Sequence, residues 1–157
     1  MTGKWKKAAA VLLAAVMAVL LVPLPTYAKE TAKISVGSGS CDIGDEVTIS
    51  VSVSSSVDIY MCDIWLSYDS GVLQPVSGYS GGGGGSVRLL STDSTSFSVR
   101  FKAVSAGSSS ISVSTSNTII SSADEDYMAV SAGSGSVTVK APVSYSTDNT
   151  LASLDIS

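Results

Sequence analysis

In EVTISVSVS, residues 46–54, an apolar residue stands at every second position from Val47 to Val53, and a polar residue stands between each pair. Successive side chains of a β-strand point to opposite faces, so this alternation predicts a strand with one buried and one solvated face. The same period returns in residues 60–68, where Ile64 and Leu66 alternate with polar or larger side chains.

Shorter runs of the same kind follow further along the chain, in residues 97–101, 111–113 and 137–139. Turn-forming residues separate the runs: Gly44-Asp45, Asp69-Ser70-Gly71, the five glycines of residues 81–85, Ala106-Gly107 and Gly133-Ser134-Gly135. After the first 28 residues no segment keeps a helical period. Short strands bounded by turns are typical of an all-β sandwich or jelly roll.

Strand parity also predicts the core. The residues that fall on the inward side of their strands are expected to be buried together: Val47, Ile49, Val51, Ile64, Leu66, Tyr68, Phe97, Val99 and Phe101.

The first 28 residues read as a signal peptide. Lys4, Lys6 and Lys7 precede an apolar run over residues 8–22, and two prolines and the small-residue site Thr26-Tyr27-Ala28 follow. A membrane-spanning helix needs about 20 apolar residues, and this run is shorter. We therefore expect cleavage after Ala28, no membrane span afterwards, and a secreted or cell-surface protein.

The remaining chain divides into one complete domain and a remainder. Residues 32–140 carry the strand pattern, and residues 141–147, which begin Ala141-Pro142, read as a linker. A new apolar alternation starts in residues 148–157, which we interpret as the start of a further β module.

Charge and residue content exclude several functions. Without the three lysines of the leader, six basic residues face thirteen acidic ones, a net charge of −7 that disfavours nucleic acid as a partner. The chain has no histidine, the usual general base and the commonest metal ligand. Because the acidic residues sit mostly at turns and no spacing pairs two of them, we expect no catalytic site, no cofactor and no metal.

Two segments resemble ligand-binding motifs and are better explained otherwise. The glycines of residues 81–85 lead into Ser86-Val87-Arg88, which reads as a strand, whereas a phosphate-binding loop opens a helix with Lys and Ser or Thr. The run Asp124-Glu125-Asp126 lacks the spacing and the glycine of an EF-hand calcium loop. We interpret the first as a flexible connection and the second as a solvated loop.

Several short motifs, taken in order, resemble the cohesin domain, the receptor module that captures dockerins in cellulosomes and related surface assemblies. The central one is Asp63-Ile64-Trp65-Leu66-Ser67-Tyr68-Asp69 with Val72-Leu73, which is similar to the family's F-x-L-x-Y-D…VL stretch. The others are Ile34-Ser35-Val36, Ile43 to Ile49 with its Gly-Asp turn, Phe97-Ser98-Val99-Arg100-Phe101, Ala106 to Ile111, and Gly135-Ser136-Val137-Thr138-Val139.

The resemblance implies a jelly-roll β-sandwich of about nine strands and a dockerin-type protein partner. It also implies that the chain is a non-catalytic extracellular binding module of a surface or polysaccharide-degrading assembly. The tail from Ser146 resembles the first strand of a cadherin-like sandwich repeat.

The two cysteines leave two alternatives open. Export favours oxidation, and we expect Cys41 and Cys62 to lie on neighbouring strands, which favours a Cys41–Cys62 disulfide closing a 21-residue loop. The alternative is two buried thiols that act as small apolar residues.

A candidate partner-binding face follows from parity in residues 60–68. Because Ile64 and Leu66 are expected inside, Asp63, Trp65 and Ser67 point outward, where a large aromatic gains little unless a partner covers it. The alternative for Trp65 is packing beneath the glycine-rich loop or against the next module.

Two other functions remain possible at this point, a carbohydrate-binding module and a structural spacer. Sugar binding usually needs aromatic platforms, yet Trp65 is the only tryptophan after the leader, and strand parity assigns most tyrosines and phenylalanines inward.

Overall fold

The computed structural model describes residues 28–124 and 126–144. Apart from Ala28, the predicted signal peptide lies outside these residues, as does the module predicted for residues 148–157. Of the predicted linker, residues 141–144 are described and have no regular structure.

Alternating hydroxyl and branched apolar residues form strands throughout the described ranges. The strands are β1 (Thr31–Val36), β2 (Gly39–Asp42), β3 (Glu46–Ser54), β4 (Ile59–Ser67), β5 (Leu73–Ser77), β6 (Gly81–Gly82), β7 (Ser86–Ser91), β8 (Ser96–Ala103), β9 (Gly107–Val113), β10 (Ile119–Ser122), β11 (Ala129–Ala132) and β12 (Ser134–Lys140). Within those ranges there is no helix, and so none that is long and apolar enough to cross a membrane.

The strands form two sheets. The five-stranded sheet has the order β11-β1-β3-β8-β5. The seven-stranded sheet has the order β2-β12-β9-β4-β7-β6, with β10 paired to β4 beside β9. Their inner faces share one apolar core, so the predicted all-β sandwich is confirmed.

The described residues form twelve strands against about nine expected, since two segments change sheets and Gly81–Gly82 adds the short strand β6. The first segment breaks at Gly37 and Ser38, so that β1 lies in one sheet and β2 in the other. The segment from Ile119 to Ala132 divides in the same way into β10 and β11. Such switches interrupt the alternation of apolar and polar residues and are therefore hard to read from sequence.

Seven of the nine residues predicted for the core are buried: Val47, Ile49, Val51, Ile64, Leu66, Val99 and Phe101. Tyr68 and Phe97 are only partly buried, although both pack against the core. They lie just past the end of β4 and near the start of β8, where the sandwich opens to solvent. The rings of Tyr68 and Phe101 are 5.2 Å apart and tilted by 56°.

The predicted Cys41–Cys62 disulfide is wrong, since both thiols are free. Cys41 lies in β2 and Cys62 in β4, and strands β12 and β9 separate them. The register also places them at opposite ends of the sheet: Cys41 is level with Gly107 at the start of β9, whereas Cys62 lies beyond Val113 at its end. About ten residue positions at roughly 3.3 Å each exceed the Cα separation of about 6 Å that a disulfide spans.

Burial keeps both thiols protonated. Desolvation raises the pKa of Cys62 to about 11. For Cys41, desolvation and then the charges of Asp45 and Asp42 raise the pKa of the thiol.

Candidate partner-binding face

The outer face of the seven-stranded sheet is centred on β4. Cys62, Ile64 and Leu66 are at most 1% exposed and point into the core. The intervening residues Asp63 and Trp65 point outward, as does the exposed Ser67. Parity therefore predicted the direction of all three residues, but their surroundings differ sharply.

Asp63 is held in an ion pair that the sequence analysis missed. Its two carboxylate oxygens accept hydrogen bonds from Nε and Nη2 of Arg88, at 2.8 and 2.6 Å. The carboxylate is the inner member of the pair, since the side chain of Asp63 is 13% exposed and that of Arg88 is 38% exposed. The hydrogen bonds and the charge of Asp63 raise the pKa of the Arg88 guanidinium, which stays charged.

Trp65 lies beside the same guanidinium. Arg88 is directly opposite Trp65 in the antiparallel register, and its Cζ lies 5.8 Å from the centroid of the Trp65 ring, within the range of a cation–π contact. The backbone of Trp65 is fixed on its other edge, where its N–H donates to Thr118 Oγ1 at 3.1 Å and its carbonyl accepts from Ser114 N at 2.8 Å. The half-buried ring is thus held in one place.

Two exposed aliphatic side chains flank Asp63. Leu90 of β7 and Ile119 of β10 are each paired with Asp63 in the register, one on either side. They are 41% and 42% exposed. Neither was identified from the sequence, although two consecutive leucines, Leu89 and Leu90, require one of them to point outward.

The other half of this face is covered by hydroxyl groups. Ser67 lies opposite Ser86 on one side and Ser112 on the other. Beyond them the outward positions of β9 and β12, apart from Lys140 at the end of β12, are small and polar: Ser108, Ser110, Ser134, Ser136 and Thr138. The face therefore divides into a hydroxyl half and an aromatic–aliphatic half, and the Asp63–Arg88 pair lies within the second.

A separate cleft of about 600 Å³ lies where β10 and β11 meet the start of the described chain. Tyr127 lines it with 66% of its surface exposed, together with Lys29, Glu30, Asp124 and Asp126. Tyr60 and Tyr79 are also exposed. Strand parity assigned most tyrosines and phenylalanines inward, and for these three tyrosines the assignment is wrong, because they lie at strand ends or in loops where the alternation does not apply. In the described part of the chain no three potential metal ligands converge.

The described part of the chain is thus a jelly-roll sandwich whose seven-stranded sheet has a polar and aromatic outer face. A family model described as Cohesin domain matches residues 32–100. Residues 32–100 of the described sandwich are thus similar to cohesin domains, and the resemblance read from the motifs is confirmed.

Solved structures of cohesins have a similar fold. A non-cellulosomal cohesin from Archaeoglobus fulgidus superposes with a TM-score of 0.60 at 16% identity, over 70% of this chain and 91% of that one. The cohesin CaCohA2 from Clostridium acetobutylicum gives 0.59 at 20% identity, over 71% and 92%. The sixth cohesin of scaffoldin B from Acetivibrio cellulolyticus gives 0.59 at 16% identity, over 70% and 99%. These matches confirm the jelly-roll fold. No curated protein sequence matches the chain.

Proposed function

We propose that the outer face around Trp65 binds a dockerin-type protein domain. The observation that carries this proposal is a half-exposed tryptophan whose ring contacts Arg88 and whose backbone is hydrogen-bonded to Thr118 and Ser114, next to two exposed aliphatic side chains. Tryptophan and arginine are the residues most enriched at the centres of protein interfaces. A cohesin domain supplies the partner class: the Acetivibrio cellulolyticus cohesin and a cohesin from Clostridium thermocellum were each solved in complex with a dockerin.

The exposed aliphatic side chains of this face favour a binding function over that of a structural spacer. A spacer has no need of Leu90 and Ile119 in solvent, since exposed aliphatic groups favour association. The partner-binding residues are then Trp65, Arg88, Leu90 and Ile119, with Ser67 at the border of the hydroxyl half. Asp63 acts through Arg88 as a positioning residue.

The cellular setting is part of the same proposal. The leader ending at Ala28 directs the protein to the cell surface or the medium, where it recruits dockerin-bearing proteins into a surface or polysaccharide-degrading assembly. Residues 29–157 carry a net charge of −7, which disfavours nucleic acid as a partner.

Trp65→Ala tests the proposal. Truncating a central aromatic typically costs at least about 2 kcal/mol of binding free energy, so affinity for a dockerin should fall about thirtyfold. The assay is calorimetric titration of the purified chain with recombinant dockerin domains encoded by the same organism. Folding should be nearly unchanged, since an exposed cation–π contact contributes about 0.5–1 kcal/mol.

Val76→Ala is the matched control, because Val76 is also an exposed apolar side chain, 43% exposed, but belongs to β5 of the other sheet. The affinity of Val76→Ala for the dockerin should equal that of the unmodified chain. Affinity that survives Trp65→Ala, or a melting temperature that falls together with affinity, would remove Trp65 from the interface.

A second function, carbohydrate binding, is favoured by the cleft beside Tyr127. An exposed aromatic ring next to carboxylates offers a stacking platform and acceptors for sugar hydroxyls. If this function is correct, Tyr127→Ala abolishes pull-down by insoluble polysaccharides and Trp65→Ala does not. If none of the tested polysaccharides retains the unmodified chain, the carbohydrate-binding function is wrong.

A further inference from the structure

We propose that the face around Trp65 selects a partner that presents a carboxylate side chain to Arg88, flanked by aliphatic side chains that pack on Leu90 and Ile119. This inference rests on the proposed function and specifies the partner's chemistry. It concerns selectivity among dockerin-type partners rather than the existence of binding.

The first step is the set of donors left on Arg88. A guanidinium has five N–H donors and no acceptor. Asp63 accepts from Nε and from one position on Nη2, so the hydrogen bonds to this carboxylate use two of the five. The remaining donors lie on the more exposed side of the pair, since Arg88 is 38% exposed and Asp63 only 13%. The positive end of the pair therefore points toward a partner.

The second step is the open space beside Arg88. Trp65, Arg88 and Gly81 form one row across β4, β7 and β6. Side chains of directly paired residues project to the same face, so a side chain at Gly81 would stand next to the guanidinium. A Cβ built at Gly81 meets no atom within 4 Å. The flank of Arg88 away from Trp65 is thus unfilled.

The third step is charge complementarity. Among the described outward positions of β4, β7, β9 and β10, Asp63 and Arg88 are the charged residues. A cation on the partner would meet a carboxylate that is already bonded and nearly covered. A carboxylate would meet free guanidinium donors in a partly desolvated setting, where such bonds are stronger than neutral ones and often bidentate.

Gly81→Glu and Gly81→Gln test the inference as a matched pair. Gly81→Glu supplies a carboxylate from the chain itself and should occupy Arg88, whereas Gly81→Gln fills nearly the same volume without the charge. The assay is titration with recombinant dockerin domains of the same organism. Loss of one charge-assisted contact predicts about a 10- to 100-fold weaker affinity for Gly81→Glu and at most a few-fold change for Gly81→Gln.

Removing Arg88 alone would leave Asp63 buried without its partner, so the second variant replaces both with apolar residues of similar size. Asp63→Leu combined with Arg88→Met keeps the packing and removes the donors. It should weaken binding to the same extent as Gly81→Glu. Raising the salt concentration from 50 to 300 mM should weaken dockerin binding by the unmodified chain, since that binding uses a charge pair. The affinity of the double variant should be nearly unaffected.

The outcomes separate the two proposals. If the unmodified chain binds no dockerin, the proposed function is wrong. If it binds and Trp65→Ala weakens it, but Gly81→Glu and Gly81→Gln reduce affinity equally, the effect is steric and the carboxylate is refuted. Binding that is insensitive to both salt and the double variant refutes it as well.

Discussion

Phe101 is the largest fully buried side chain of the described core, and its removal gives the most direct test of the fold. It lies in β8 between Val47 of β3 and Pro75 of β5, and its ring contacts that of Tyr68. Phe101→Ala should therefore create a cavity that both sheets line.

The expected loss is large. Truncating a buried phenylalanine costs about 3–5 kcal/mol, and the lost ring pair with Tyr68, about 0.5–1.5 kcal/mol, places this variant in the upper half of that range. Phe97→Ala is the control. Phe97 points inward from the same strand but is only partly buried, so its loss should be about half as large.

Urea denaturation followed by Trp65 fluorescence measures the unfolding free energy of each variant and of the unmodified chain with the same probe. A loss below about 1 kcal/mol for Phe101→Ala would mean that the inward face of β8 is wrongly assigned, since exposed substitutions stay near 0.5 kcal/mol. Equal losses for the two variants would contradict the burial difference between Phe101 and Phe97.

Three further results are expected. Unreduced protein, once unfolded, should take up two equivalents of an alkylating reagent, and in the folded protein Cys41 should react before Cys62; uptake of none would restore the disulfide. The pKa of Cys62 is raised from 9.0 to about 11, so the folded state holds this proton more tightly than the unfolded state does. The free energy of unfolding should therefore fall by about 2–3 kcal/mol as the pH rises from 9 to 11. Cys62→Ala should remove that part of the loss. Gly135→Ala should destabilise by about 1–3 kcal/mol because its Cβ would overlap the carbonyl of Gly37, whereas Gly81→Ala should change stability by no more than about 1 kcal/mol; thermal melts compare the two.

Period-two patterning predicted most of this fold because it is a local signal. The residues next to each apolar position from Val47 to Val53 are enough to indicate that it lies on the buried face of the strand, and the same holds for Ile64 and Leu66. The direction of Trp65 followed from the same parity. What it could not supply is the order of strands within a sheet, which depends on long-range pairing.

The two failures at the candidate site share that cause. The disulfide was inferred because Cys41 and Cys62 were assumed to lie on neighbouring strands, whereas β12, from the far end of the sequence, and β9 lie between those strands. The Asp63–Arg88 pair was missed for the same reason. Only the β4–β7 register brings residue 88 beside residues 63 and 65, and the five intervening glycines gave no sequence rule for that register.

The two ends of the described chain lie away from the outer face of the seven-stranded sheet. Glu30 enters beside Ala129, at the end of the sandwich where β3 finishes, and its carboxylate accepts from Ser56. Lys140 leaves beside Ile43, at the end where β3 begins. Entry and exit are thus separated by the length of a nine-residue strand, about 30 Å. Residues 28–30 and 141–144 therefore lie at the two ends of the sandwich, and the outer face of the seven-stranded sheet lies along the side between them, where the proposed partner would displace neither.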